Sequence, residues 1–142
     1  MGRFLRSHCK RLVRLLIPPC RIIHNTEENL APNLDLLMLH GPLPKGDSSR
    51  ILAFLGLNRN NLTKLDLHDG YLDEVSGLTL KDLEMPSLKQ LRFSGNCSYK
   101  LIQSNADHLE TLVFLNCSGI RSDEMDLPEE GLPKLTTLVR YG

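Results

Sequence analysis

Apolar residues recur along the chain at one local spacing, Leu-x-x-Leu-x-(Leu/Ile/Phe), beginning at Leu12, Leu34, Leu62, Leu88, Leu109 and Leu135. The copies read Leu12-Leu15-Ile17, Leu34-Leu37-Leu39, Leu62-Leu65-Leu67, Leu88-Leu91-Phe93, Leu109-Leu112-Phe114 and Leu135-Leu138-Arg140, at intervals of 22, 28, 26, 21 and 26 residues. Self-similarity at such a period points to a repeat architecture, in which each unit buries its apolar face only against its neighbours. Between copies, Ile51, Leu52, Phe54 and Leu55 have the spacing of one apolar helix face, with Ser48 or Ser49 as the cap and Gly56 as the terminator. Weaker return segments are expected over 78–85, 99–107 and 123–130, the last interrupted by Pro128. A helical bundle built on the same leucines is disfavoured, because Pro18, Pro19, Pro42, Pro44, Pro86, Pro128 and Pro133 would break nearly every candidate helix.

The ninth position from each first leucine is Cys20, Pro42, Gly70, Asn96 or Cys117. Asn and Cys are small polar groups that can turn inward and hydrogen-bond the backbone, and Pro and Gly can make the same corner by backbone geometry. Proline stands two residues before the first leucine in Pro32-Asn-Leu34, Pro86-Ser-Leu88 and Pro133-Lys-Leu135, where it ends a helix and starts an extended segment. With Cys9-Lys-Arg-Leu12 and Cys117-Ser-Gly-Ile120, these features resemble the cysteine-containing type of leucine-rich repeat, Cys-Pro-x-Leu-x-x-Leu-x-Leu-x-x-Cys-x-x-Ile. The resemblance runs from about Phe4 to Gly142. It implies an α/β fold: a leucine-rich-repeat solenoid occupying 1–142 as a single domain, with a concave parallel β-sheet and convex helices or irregular segments. Each x-x-Leu-x-Leu-x stretch would be a strand with its leucines pointing inward. Both ends look like cuts, so a longer array is expected.

In such a fold the residues between the strand leucines point outward and are free to carry function. Third positions form the row Arg14, Leu36, Lys64, Gln90, Thr111, Thr137, fifth positions the row Leu16, Met38, Asp66, Arg92, Val113, Val139, and seventh positions the row Pro18, His40, His68, Ser94, Leu115, Tyr141. The candidate partner-binding residues are Arg14, Met38, His40, Lys64, Asp66, His68, Gln90, Arg92, Val113 and Leu115, charged in the middle and apolar at the ends. That mixture suits a protein or peptide ligand better than a phosphate backbone or a lipid tail. Asp66 and Arg92 sit where they can pair across strands. His40 and His68 share a column, but two ligands are too few for a metal site. Ser94 lacks the partners of a catalytic triad, and no phosphate-binding loop, His-Glu-x-x-His or Gly-x-Ser-x-Gly stretch occurs. A non-enzyme without cofactor or metal is expected.

Composition adds exclusions. Thirty of the 142 residues are leucine and only 5% are aromatic, in keeping with a repetitive aliphatic core. Seventeen basic and seventeen acidic residues leave no net charge to favour nucleic acid. No apolar run approaches the roughly 18 residues of a membrane span, and no secretory apolar stretch is present, so no membrane insertion is expected. Four cysteines without CxxC spacing suit reduced thiols in the cytoplasm or nucleus, where the sequons at Asn61, Asn96 and Asn116 would stay unmodified. Residues 1–24 carry six Lys+Arg and no acid, as a mitochondrial transit segment would, yet residues 12–22 already satisfy the repeat pattern and leave little room for one.

The cysteine-containing repeat type is similar to the substrate-recognition arrays of F-box proteins and related ubiquitin-ligase receptors. It implies a substrate-binding part of a ubiquitin-ligase complex, with ligase subunits among the partners, although no F-box is recognisable here. The alternatives are a scaffold or ligand-sensing region of an intracellular receptor, or a fragment without independent activity.

Overall fold

The computed structural model describes residues 11–17, 33–41, 48–68, 79–95, 97–117 and 131–142. Six short strands occur in chain order: β1 (Arg14–Ile17), β2 (Leu36–Leu39), β3 (Lys64–His68), β4 (Gln90–Ser94), β5 (Thr111–Leu115) and β6 (Thr137–Tyr141). They form one open sheet in which every neighbouring pair is parallel and consecutive in sequence. Parallel neighbours need a crossover between them. The described return segments are α1 (Ser48–Asn58) between β2 and β3, a 3-10 turn (Leu80–Leu83) between β3 and β4, and α2 (Tyr99–Ser104) between β4 and β5. Over the described residues the protein is therefore α/β, with a single parallel sheet and few helices.

One hydrogen-bond device sets the register at every step. The carbonyl of the residue after each first leucine accepts two N–H groups from the next unit: Val13 from Asp35 and Leu36, Asp35 from Thr63 and Lys64, Thr63 from Lys89 and Gln90, Lys89 from Glu110 and Thr111, and Glu110 from Thr136 and Thr137. Equivalent residues consequently stand side by side, as in Leu37, Leu65, Leu91, Leu112 and Leu138. Since successive strand side chains point to opposite faces, this register sends all of these leucines to one side.

On that side they form one core. The first, fourth and sixth positions of the units starting at Leu34, Leu62, Leu88 and Leu109 are all buried, together with Ile51, Phe54 and Leu55 of α1, Leu83 and Met85 of the 3-10 region, and Leu101 and Ile102 of α2. Phe93 and Phe114 stack with centroids 6.0 Å apart. Burying each such side chain stabilises the fold by about 1.5–3 kcal/mol. At the β6 edge the same position is wet: Leu138 is 63% exposed, having a strand neighbour on one side only.

One sequence expectation about turns needs amendment. Gly56 does not end the first helix, which continues to Asn58, whose buried side-chain amide donates to the Phe54 carbonyl at 2.9 Å. Of the expected apolar face, Ile51, Phe54 and Leu55 are buried and Leu52 is half-buried against the core, whereas the expected Ser48 or Ser49 cap and the return segment over 123–130 lie outside the described side chains and residues. Four strands, β2, β4, β5 and β6, leave through their eighth position in a left-handed backbone conformation: Gly41 at φ 107°, Gly95 at 84°, Asn116 at 48° and Gly142 at 95°. Gly95 and Asn116 use that turn to donate their N–H groups to the Leu115 and Tyr141 carbonyls of the next strand. The two glycines therefore have opposite expectations on substitution by alanine. Gly95→Ala forces a Cβ into the left-handed region and should cost about 1–2 kcal/mol. Gly56→Ala, in a helix with open space around the new Cβ, should add about 0.5–1 kcal/mol. Urea midpoints of the two variants check both signs.

Candidate functional site

The register lays out three outward rows. Arg14, Leu36, Lys64, Gln90, Thr111 and Thr137 align across the sheet, as do Leu16, Met38, Asp66, Arg92, Val113 and Val139. His68, Ser94, Leu115 and Tyr141 align in the third row, and the His40 ring stacks on His68 with centroids 5.8 Å apart and planes 20° apart. Of the candidate residues, Arg14, His40, Lys64 and Arg92 are exposed, Met38, His68, Gln90, Val113 and Leu115 are half-buried, and Asp66 is buried. Pro18 lies outside the described residues.

Charge concentrates where β3 meets β4. Arg92 Nε lies 3.4 Å from Asp66 Oδ2, the two side chains being 44% and 8% exposed. The pairing expected from sequence thus exists, but it is lopsided, with an accessible guanidinium braced by a carboxylate sunk into the sheet face. Burial pushes the Asp66 carboxyl above its ordinary value, while the charge of Arg92 and, more weakly, of His40 and His68 pulls it down. Below this cluster, Thr63 Oγ1 donates to Asp35 Oδ1, and Lys64 Nζ lies 3.9 Å from the other Asp35 oxygen. Lys89 and Glu110 pair at 2.9 Å beside it.

The sign of the Asp66 shift makes a prediction. A carboxyl whose folded pKa is raised binds its proton more tightly in the native state, so stability falls as pH rises from the ordinary value near 3.8 through the raised one. Asp66→Asn removes that cost. Its urea midpoint at pH 7 should equal or exceed the wild type's, and the stability loss between pH 4 and 7 should shrink. A residue kept at a cost to stability is a candidate for function.

Among the ninth-position residues, Cys117 is buried, with its thiol 3.6 Å from the Phe93 carbonyl and 3.4 Å from its own strand's Leu115 carbonyl. Those contacts suit the inward-turned, backbone-bonding role expected of it. Cys20 and Asn96 lie outside the described residues. Sequence reasoning missed a stronger polar anchor at a different place, four residues before the first leucine. Asn105 is fully buried; its Oδ1 accepts the Met85 N–H at 2.8 Å, and its Nδ2 donates to the Leu83 and Leu101 carbonyls at 2.9 and 2.8 Å. It joins the end of α2 to the 3-10 region of the unit before it. Asn58 holds the equivalent place before Leu62, again fully buried. The signal was present as the shared spacing Asn58-x-x-x-Leu62 and Asn105-x-x-x-Leu109, each Asn closing a helix.

The two imidazoles stack with nearly parallel planes, so their in-plane lone pairs do not converge on a common point. Among the described residues no group of three or more His, Cys, Asp or Glu is placed to hold a metal ion. Chemically, the outward face offers cationic hydrogen-bond donors flanked by aliphatic side chains. Comparison with protein-family models, with curated proteins and with solved structures finds no match to this chain. Among the described residues no helix is long and apolar enough to cross a membrane.

Proposed function

We propose that this chain is a protein-recognition module, a leucine-rich-repeat solenoid of the cysteine-containing type whose outward strand rows form the concave surface that holds a protein or peptide ligand. The observation that carries the reading is the in-register alignment of equivalent outward residues across six parallel strands. Such rows give a continuous platform whose chemistry varies without touching the core. The shared hydrogen-bond device, the left-handed eighth position of four units and the inward leucines support treating the six units as copies of one motif. The resemblance to ubiquitin-ligase receptor repeats narrows the reading to substrate choice in such a complex, with catalysis on other polypeptides and no cofactor on this one. Cytoplasm and nucleus are the compartments that fit that role.

Affinity purification of the tagged chain from its native cells, followed by mass spectrometry, tests the reading when wild type is compared with Arg92→Glu. Cullin-complex adaptors together with ubiquitinated clients, the clients alone being lost in the variant, is the expected result. Recovery of one stable partner without ligase subunits, also lost in the variant, would reduce the role to plain recognition and remove the ubiquitin reading.

A further inference from the structure

We propose that the middle of the outward sheet face takes an acidic peptide segment lying extended across the strands, with one carboxylate side chain on Arg92 and aliphatic side chains on Met38 and Val113. The inference rests on the recognition reading above and supplies its ligand class. Among the described residues of the three rows, Asp66 is the one acid, and its side chain is 8% exposed. Within the rows a ligand therefore meets Arg92 at 44% exposed, Lys64 at 46% and the exposed His40, while the exposed Asp35 and Glu110 carboxylates flanking the rows are paired with Lys64 and Lys89.

Arg92 is prepared for this task. A guanidinium presents five donors in a rigid planar fork and pairs best with a carboxylate through two parallel bonds. Asp66 touches it at Nε, which fixes the side chain over the sheet and leaves the far edge of the fork to a ligand. Asp66 is thus a positioning residue. Burial of its carboxyl works against ionisation, and the charge of Arg92 acts in the opposite sense. Lys64 is held loosely, 3.9 Å from Asp35, a surface pair of small worth that a better carboxylate can displace.

Spacing gives the ligand a pattern. Neighbouring strands lie about 4.8 Å apart and an extended peptide advances about 3.3 Å per residue. Met38 on β2 is two strands from Arg92 on β4, and Val113 on β5 is one strand beyond. Because an extended peptide turns every second side chain to the sheet, a peptide crossing at right angles places an aliphatic residue about two or four positions from its acid on the Met38 side, and a second about two positions away on the Val113 side. Half-buried Leu115 and Val139 widen the second apolar contact.

Selection of a randomised dodecapeptide display library on the full-length chain tests this, in parallel on wild type and on Arg92→Glu, each shown to be folded by its circular-dichroism melt. Wild type should enrich peptides with Asp or Glu at that spacing from aliphatic residues. Their synthetic versions should bind Arg92→Glu about tenfold or more weakly, as expected for reversing one partner of a close charge pair, and Met38→Asp should erase the aliphatic preference on one side only. Enrichment of neutral or basic peptides, or acidic peptides that bind Arg92→Glu as well as wild type, would overturn the acidic-ligand inference and leave the recognition reading standing. No enrichment on folded wild type would count against both.

Discussion

Leu91→Asp should abolish cooperative folding, while its neighbour Arg92→Glu leaves the thermal transition nearly unchanged. Leu91 is fully buried at the centre of the core, between Leu65 on β3 and Leu112 on β5. Removing its side chain would by itself cost about 2–5 kcal/mol. An uncompensated carboxylate in the same place adds several more, or is protonated at a comparable cost. The total approaches the roughly 5–15 kcal/mol that holds a typical domain together. Arg92 is one residue away and 44% exposed. Reversing its charge leaves Asp66 beside a like charge, a loss expected to stay well below that of Leu91→Asp. Urea titration followed by far-ultraviolet circular dichroism reads both. Equal damage from the two variants would mean that the strand does not alternate its faces as described.

Asn105→Ala is the second large effect. The substitution leaves two buried backbone groups without their side-chain partner, the Met85 N–H and the Leu83 carbonyl, and takes one of two side-chain donors from the Leu101 carbonyl, which keeps the Ser104 hydroxyl. Orphaning a buried polar group costs about 1–3 kcal/mol. Because the Leu101 carbonyl lies within α2 and relaxation recovers part of the loss, the expected sum is about 2–5 kcal/mol. The distinctive readout is local. Hydrogen exchange at the Met85 amide should accelerate more than that of strand amides such as Leu91, since Asn105 is what ties Met85 to the following unit. Uniform acceleration across the chain would assign the residue a general packing role instead.

The leucines made the strands legible because alternation and a repeated count both survive in one dimension. With Leu88-x-x-Leu91-x-Phe93 and its five counterparts in hand, the outward rows follow by arithmetic, and the parallel register aligns them as that arithmetic requires. The Asp66–Arg92 pair was legible for the same reason. Its asymmetry was not, because the depth to which a carboxylate sinks depends on neighbours from three strands. The helix end at Asn58 was misread because glycine signals a stop only when its backbone turns left-handed. Gly56 stays helical, and the left-handed turns sit at Gly41, Gly95 and Asn116, where strands end. Counting eighth positions as well as ninth would have found that column. Asn58 and Asn105 escaped because asparagine is common in turns, and its burial depends on what the preceding unit leaves unsatisfied.

Everything proposed about ligand binding depends on the register, since a slip of one residue would turn the leucines outward and the rows inward. The most direct test is nuclear Overhauser contacts between backbone protons of neighbouring strands in the isotopically labelled chain. The expected result is parallel-sheet contacts joining Asp66 to Arg92, Arg92 to Val113 and Leu91 to Leu112. Contacts that pair Arg92 with Leu65 or Leu112, or that run antiparallel between any two of these strands, would contradict the recognition surface at its foundation.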